Sequence, residues 1–205
     1  MPTVTKRPDL TPKGERTMNA ILDAAREIIT AEGMGAASQD SIARRAGISQ
    51  STLRHYFPTK EQLVSEIYRT GFQRTLESVE ADLPDAATEP EARLLRMARN
   101  HLHFIMARDG AYAFESFAHL ARNAGDRRYR DEWYEALAAR YADLIGRIRP
   151  GLAETECRRR AFQIMTLCLG GWLTMTESRP RLHDASSDEL VESALAGIRA
   201  IMHAD

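Results

Sequence analysis

The stretch SQDSIARRAGISQSTLRHYFPTKEQL, residues 38–63, gathers side chains suited to reading a polyanion. Gln50, Ser51, Thr52, Arg54, His55 and Tyr56 lie around a single leucine, Leu53. A glutamine amide can pair with adenine, a guanidinium with guanine or phosphate, and hydroxyls with phosphate oxygens. Ser38, Gln39, Gly47, Ser49 and Lys60 flank this group and complete the candidate DNA-binding set. An ordinary helical hairpin is the competing reading. A helix this short and polar, however, buries too little to be kept for packing alone.

Other chemistries find less support. His101 and His103 stand two residues apart, so on a helix they point about 200° away from each other and cannot share a metal. His119 and Glu115 have i, i+4 spacing, but two ligands do not make a site. No metal and no cofactor are expected. The chain has no Gly-x-Ser-x-Gly, phosphate loop, His-Glu-x-x-His or supported carboxylate pair, so it is not expected to be an enzyme. An α-helical enzyme and a protein-interaction module remain the alternatives from other classes. The latter would lack salt-dependent DNA affinity.

The elements that must position these residues are helical throughout. Residues 1–13 hold three prolines and read as a flexible arm. A first helix is expected from about Arg16 to Glu32, with a stripe of Met18, Ile21, Leu22, Ala25 and Ile29. Ser38 caps a short helix to Ala46, Gly47-Ile48-Ser49 turns, and Gln50–Phe57 forms a second short helix ended by Pro58. Ile42, Ala43, Ile48 and Leu53 supply its inner core, and Gly47 allows the sharp turn and a close crossing. Thr59-Lys60-Glu61-Gln62 is a capping box opening a long helix, and Thr88-Glu89-Pro90-Glu91 has the same chemistry. Further helices are expected at 111–123, 127–149 (stripe Trp133, Leu137, Tyr141, Leu144, Ile148), 154–178 and from Ser186 onward. The fold class is all-α with about nine helices. A helix-turn-helix head at 14–60 precedes a ligand-binding and dimerisation body at 61–205.

The body is rich in aromatic and sulfur side chains. Phe104, Tyr112, Phe114, Phe117, Trp133, Tyr134, Tyr141, Met165, Trp172 and Met175 are the candidate ligand-binding residues. Each fits a plain core position as well. As a set they suggest a cavity for an apolar or aromatic effector. The last two helices carry more apolar surface than one subunit covers. A two-fold dimer through Trp172, Val191, Leu195, Ile198 and Met202 is therefore expected.

Composition is consistent with this plan. The 205 residues are 43% hydrophobic and 28% charged, an ordinary globular balance with net charge -1. Residues 1–60 carry nine Lys/Arg against six Asp/Glu, so a mildly basic head joins an acidic remainder. Cys157 and Cys168, roughly 16 Å apart along one helix, cannot pair within a subunit and read as reduced. The N-terminus lacks a signal-peptide core, and no apolar run reaches the ~20 residues of a membrane span. A cytoplasmic location is expected.

Residues 38–63 resemble the TetR family of bacterial transcription regulators. Ile42-Ala43, Ala46-Gly47-Ile48-Ser49, Thr52-Leu53, Tyr56-Phe57 and Lys60-Glu61-Gln62-Leu63 carry the likeness, which is specific over about residues 16–70. The resemblance implies a three-helix DNA-binding head and a six-helix body dimerising through its last two helices. In the family a tyrosine often follows the recognition-helix leucine; here Arg54 stands there. Tyr56 and Lys60 match its usual phosphate-contacting positions. The resemblance implies a homodimer on a near-palindromic operator, acting as a repressor released by a small molecule. An activator, or a regulator without an effector, fits the same residues.

Overall fold

In the computed structural model the described residues are 11–106, 127–175 and 186–204, without the side chains of 129 and 172–175. Among them are eight α-helices and no strand. They are α1 (Pro12–Glu32), α2 (Gln39–Arg45), α3 (Gln50–Tyr56), α4 (Lys60–Val79), α5 (Pro90–Met106), α6 (Arg127–Ile148), α7 (Glu154–Met175) and α8 (Ser187–His203). A single 3-10 turn, Met34–Ala36, follows α1. The helix expected at 111–123 lies outside the described residues. The chain divides into two compact units, one holding the segment up to Gln73 and the other most of the chain from Arg74 onward.

The first unit is built on α1. Its start differs from expectation: Thr11 is the cap, its hydroxyl accepting from the Gly14 N–H at 3.2 Å, and Pro12 opens the helix. Proline suits that place because its missing N–H would have had no partner there. The shared core takes Ile21, Ala25, Ile28 and Ile29 from α1, Ile42 and Ala43 from α2, and Leu53 and Phe57 at α3. Leu63 and Ile67 of α4 belong to the same core, so the head's interior extends past residue 60. α1 packs on α2, and α2 on α3.

In the second unit α5 packs against both α7 and α8, and α7 packs against α8. The Thr88 cap does not form; Asp85 instead accepts from the Ala87 and Thr88 N–H groups at 2.8 and 3.0 Å, and the helix starts at Pro90. Buried Arg160 of α7 donates to Glu156 Oε1 at 2.7 Å and to the Met202 carbonyl at 3.0 Å. It thereby satisfies a carbonyl that the end of α8 leaves without an intrahelical partner. Hydrogen bonds from Arg159 and Arg160 hold the Glu156 carboxyl down to about 2. Cys157 and Cys168 are both buried free thiols, and burial pushes Cys168 up to about 12.

One expectation is corrected here. Val191, Leu195, Ile198 and Met202 are each 1% exposed or less within a single subunit. The reason is geometric: an α8 stripe at this spacing faces one way, and its own subunit already covers it. They are core residues rather than an exposed interface; the Trp172 side chain lies outside the described residues. The outer faces of α7 and α8 instead flank an open groove of about 710 Å³. Phe162, Thr166, Leu167, Gly170, Gly197 and Ile201 are among its lining residues. Phe162, at 67% exposure, is the large apolar side chain left in solvent there. Among the described residues no helix is long and apolar enough to cross a membrane.

Candidate nucleic-acid interface

Two helices of seven residues each carry the interface. α2 begins with a reciprocal serine cap: Ser38 Oγ accepts from the Ser41 N–H at 3.0 Å, and Ser41 Oγ accepts from the Ser38 N–H at 2.9 Å. It ends at Gly47, whose φ of 68° is left-handed. The Ile48 N–H reaches back to the Ala43 carbonyl at 3.0 Å, and the Gly47 N–H to Arg44 at 3.3 Å. This paired closure is the Schellman arrangement, which favours glycine at its left-handed residue. Nothing lies within 4 Å of a Cβ built at Gly47. Backbone conformation, rather than the expected close crossing, is what calls for glycine there.

Ser49 caps α3, its hydroxyl accepting from the Thr52 N–H at 3.0 Å and lying 2.8 Å from both the Ser51 and Thr52 hydroxyls. Leu53 and Phe57, one turn apart and fully buried, fasten α3 to the head. The sequence-derived residues then sort by face. Ser38, Gly47, Ser49, Gln50, Ser51, Arg54, His55 and Lys60 are exposed, while Gln39, Thr52 and Tyr56 are half-buried. Tyr56 packs against the head core and meets the His55 ring edge-on at 5.7 Å.

Sequence reasoning passed over Asp40, Arg44 and Arg45. Arg44 is paired with Asp40 one turn earlier. Arg45 reaches Glu27 and Glu32 of α1 at 3.3 and 3.8 Å. Asp40 also accepts from Gln50 Nε2 at 2.9 Å, and Gln50 Oε1 accepts from Arg54 at 3.2 Å. The 40/44 and 50/54 spacings were a readable signal for same-face pairs. The Asp40–Gln50 link between helices was not.

Residues 21–67 match the family model described as bacterial regulatory proteins, tetR family. Over those residues the chain is similar to the TetR-family helix-turn-helix head. Among curated relatives, the fatty acid metabolism regulator protein of Bacillus subtilis is 29% identical over 80 residues, 39% of this chain and 41% of its own. The regulator BetI of Rhizobium meliloti is 35% identical over 80 residues, 39% of each chain. An uncharacterized HTH-type regulator of Mycobacterium tuberculosis is 29% identical over 146 residues, 70% of each. Against the first of these relatives, the TetR-family match spans about two fifths of their length.

Solved structures extend the likeness of fold to nearly the whole chain. A transcriptional regulator from Rhodococcus sp. RHA1 superposes with a TM-score of 0.74 at 18% identity, covering 90% of this chain and 95% of its own. A putative TetR-family regulator from Mesorhizobium loti gives 0.73 at 21% identity, covering 94% and 98%.

The candidate effector residues that the structure describes sit in the second unit. Trp133, Tyr141 and Met165 are buried, and Phe104 and Tyr134 are half-buried. Tyr112, Phe114 and Phe117 lie outside the described residues, as do the side chains of Trp172 and Met175. His101, set aside above as a metal ligand, is 1% exposed and meets the Trp133 ring edge-on at 6.1 Å. Among the described residues neither His101 Nδ1 nor Tyr141 Oη has a hydrogen-bond partner, although both are buried. Buried polar atoms are ordinarily hydrogen-bonded, so each of these two sites has capacity for a further partner.

Burial lowers His101 from 6.5 to about 4. The folded chain therefore holds it neutral where an unfolded chain takes a proton. Stability is expected to fall as pH drops from about 6.5 to about 4, by up to about 3 kcal/mol from this group. Urea midpoints at pH 7 and pH 4.5, for wild type and His101→Phe, isolate it. The variant is expected to lose less on acidification; equal losses would remove His101 as the source.

Proposed function

We propose that the protein is a sequence-specific, DNA-binding transcription regulator. One observation carries this reading. α3 is pinned by Leu53 and Phe57 while Gln50, Ser51, Arg54 and His55 face solvent. A short helix held by its apolar side and polar on its open side has the form of a recognition helix. Arg54→Ala and Tyr56→Ala, titrated at fixed salt against a duplex that the wild type selects from a randomised pool, test it. Each is expected to weaken binding by about 1–3 kcal/mol with circular dichroism unchanged. Undiminished affinity in both would refute the assignment of α3.

The regulator acts as a homodimer on a near-palindromic site, with the exposed faces of α7 and α8 joined across a two-fold axis. The open apolar groove with Phe162 at its edge supports this, because such patches mark association sites. Residues 14–60 supply the reading surface and 61–205 the effector and dimer functions. The effector is a small, mainly aromatic molecule that carries a neutral hydrogen-bonding group. His101 Nδ1 and Tyr141 Oη support that choice, since an unsatisfied buried polar atom gains most from an uncharged partner. Binding releases the operator, which requires unequal effector affinity for the DNA-bound and free states.

A further inference from the structure

The polar groups on the open side of α2 and α3 are connected in one line. Arg44 donates to Asp40 Oδ2, Gln50 Nε2 donates to Asp40 Oδ1 at 2.9 Å, and Arg54 donates to Gln50 Oε1 at 3.2 Å. All four residues are exposed, and all four stand within the same compact unit. Two consequences follow from the directions of donation. The Gln50 amide gives one of its two N–H groups to Asp40 on α2 and one of its two carbonyl lone pairs to Arg54, so both its ends are held by the line. Arg54 uses one N–H of its five in this line, so the fork it needs for a guanine edge stays available.

The Asp40–Gln50 bond is the step of the line that joins the two helices, and Asp40 is its end on α2. Asp40 also sets its carboxylate against the Arg44 guanidinium, which is 75% exposed and otherwise available to phosphates. We infer that Asp40 is the positioning residue of the DNA-reading face. Acting through Gln50, it fixes the Arg54 guanidinium where it reads a guanine, and by pairing Arg44 it suppresses sequence-blind attraction to phosphate. This inference rests on the DNA-reading role proposed above.

The test uses the full chain and two probes: a duplex selected by the wild type from a randomised pool, and a scrambled duplex of the same composition. Fluorescence anisotropy follows binding across a salt series. Arg54→Ala first identifies the base pair at which preference disappears. Asp40→Ala is expected to lose about tenfold preference at that same base pair, the size of one good base contact. It is also expected to bind the scrambled duplex more tightly, with a salt slope steeper by about one per head. Asp40→Asn keeps an acceptor for Gln50 but removes the charge. It is expected to retain the base preference while showing the steeper slope, a separation that a merely structural role would not produce. Far-UV spectra and Tm are expected to match wild type for both, because the side chain is exposed.

Wild-type preference in Asp40→Ala overturns the inference, and so does an unchanged salt slope. Failure of Arg54→Ala to lose any base preference overturns it equally. A wild type that selects no duplex refutes the DNA-reading role itself and takes this inference with it.

Discussion

Phe57→Ala is expected to destabilise the head by about 3–5 kcal/mol and to abolish DNA binding with it. The argument starts from length. α3 has seven residues, too few to persist in water on helical hydrogen bonds alone. Its persistence rests on Leu53 and Phe57, both fully buried in the head core. Phe57 also closes the helix: its N–H donates to the Leu53 carbonyl at 2.8 Å, and Pro58 follows. Removing the ring leaves a cavity in the head core and loosens the end of the helix that carries Arg54. Typical domain stability is about 5–15 kcal/mol, so a loss of this size takes most of the margin. Urea denaturation, with hydrogen exchange over residues 50–57, measures it. A loss under about 1 kcal/mol would show that the buried ring contributes little to holding the head.

The second large effect contrasts two charges placed in the α7–α8 region. Leu195→Glu puts a carboxylate where the side chain is 1% exposed in a single subunit. It is expected to cost about 4 kcal/mol or more and to yield an aggregating or unfolded chain. Phe162→Glu puts the same charge where the side chain is 67% exposed. It is expected to keep helicity while converting a micromolar dimer to monomer. Operator affinity should fall about tenfold or more, because each separated head holds half a site. Sedimentation equilibrium and far-UV spectra of the two variants decide between the outer and inner faces. A folded Leu195→Glu monomer, or an undisturbed Phe162→Glu dimer, would return the interface to the inner stripe.

Local chemistry was legible in the residues wherever the structure depends on neighbours in the chain. Ser38 caps its helix as expected, Ser186 forms a full box with Glu189, and Ser49, read from the sequence as part of the turn, caps α3. Thr59 and Gln62 exchange hydrogen bonds at the start of α4. Thr11–Pro12 escaped because the prolines around it read as an arm. Asp85 took the place of Thr88 by turning the chain one step earlier. Periodicity showed that Val191, Leu195, Ile198 and Met202 share a face, but a stripe does not say whether its own subunit or another covers it. Asp40 and Gln50 are ten residues apart on separate helices. Their hydrogen bond depends on how α2 and α3 cross, which no local spacing encodes.

The inclusion of Leu63 and Ile67 in the head core bears on modularity. A reading head can be recombined with a different body only if the join preserves every side chain that closes its interior. A crossover at residue 60 would look natural from the motif, yet it would hand those two positions to a foreign helix. The chimera would then carry an intact recognition surface on an incompletely filled core. Joins placed after Gln73, where the first unit's N-terminal segment ends, keep both residues with the head. In this chain the inheritable unit of DNA recognition is therefore longer than its helix-turn-helix by roughly the first three or four turns of α4.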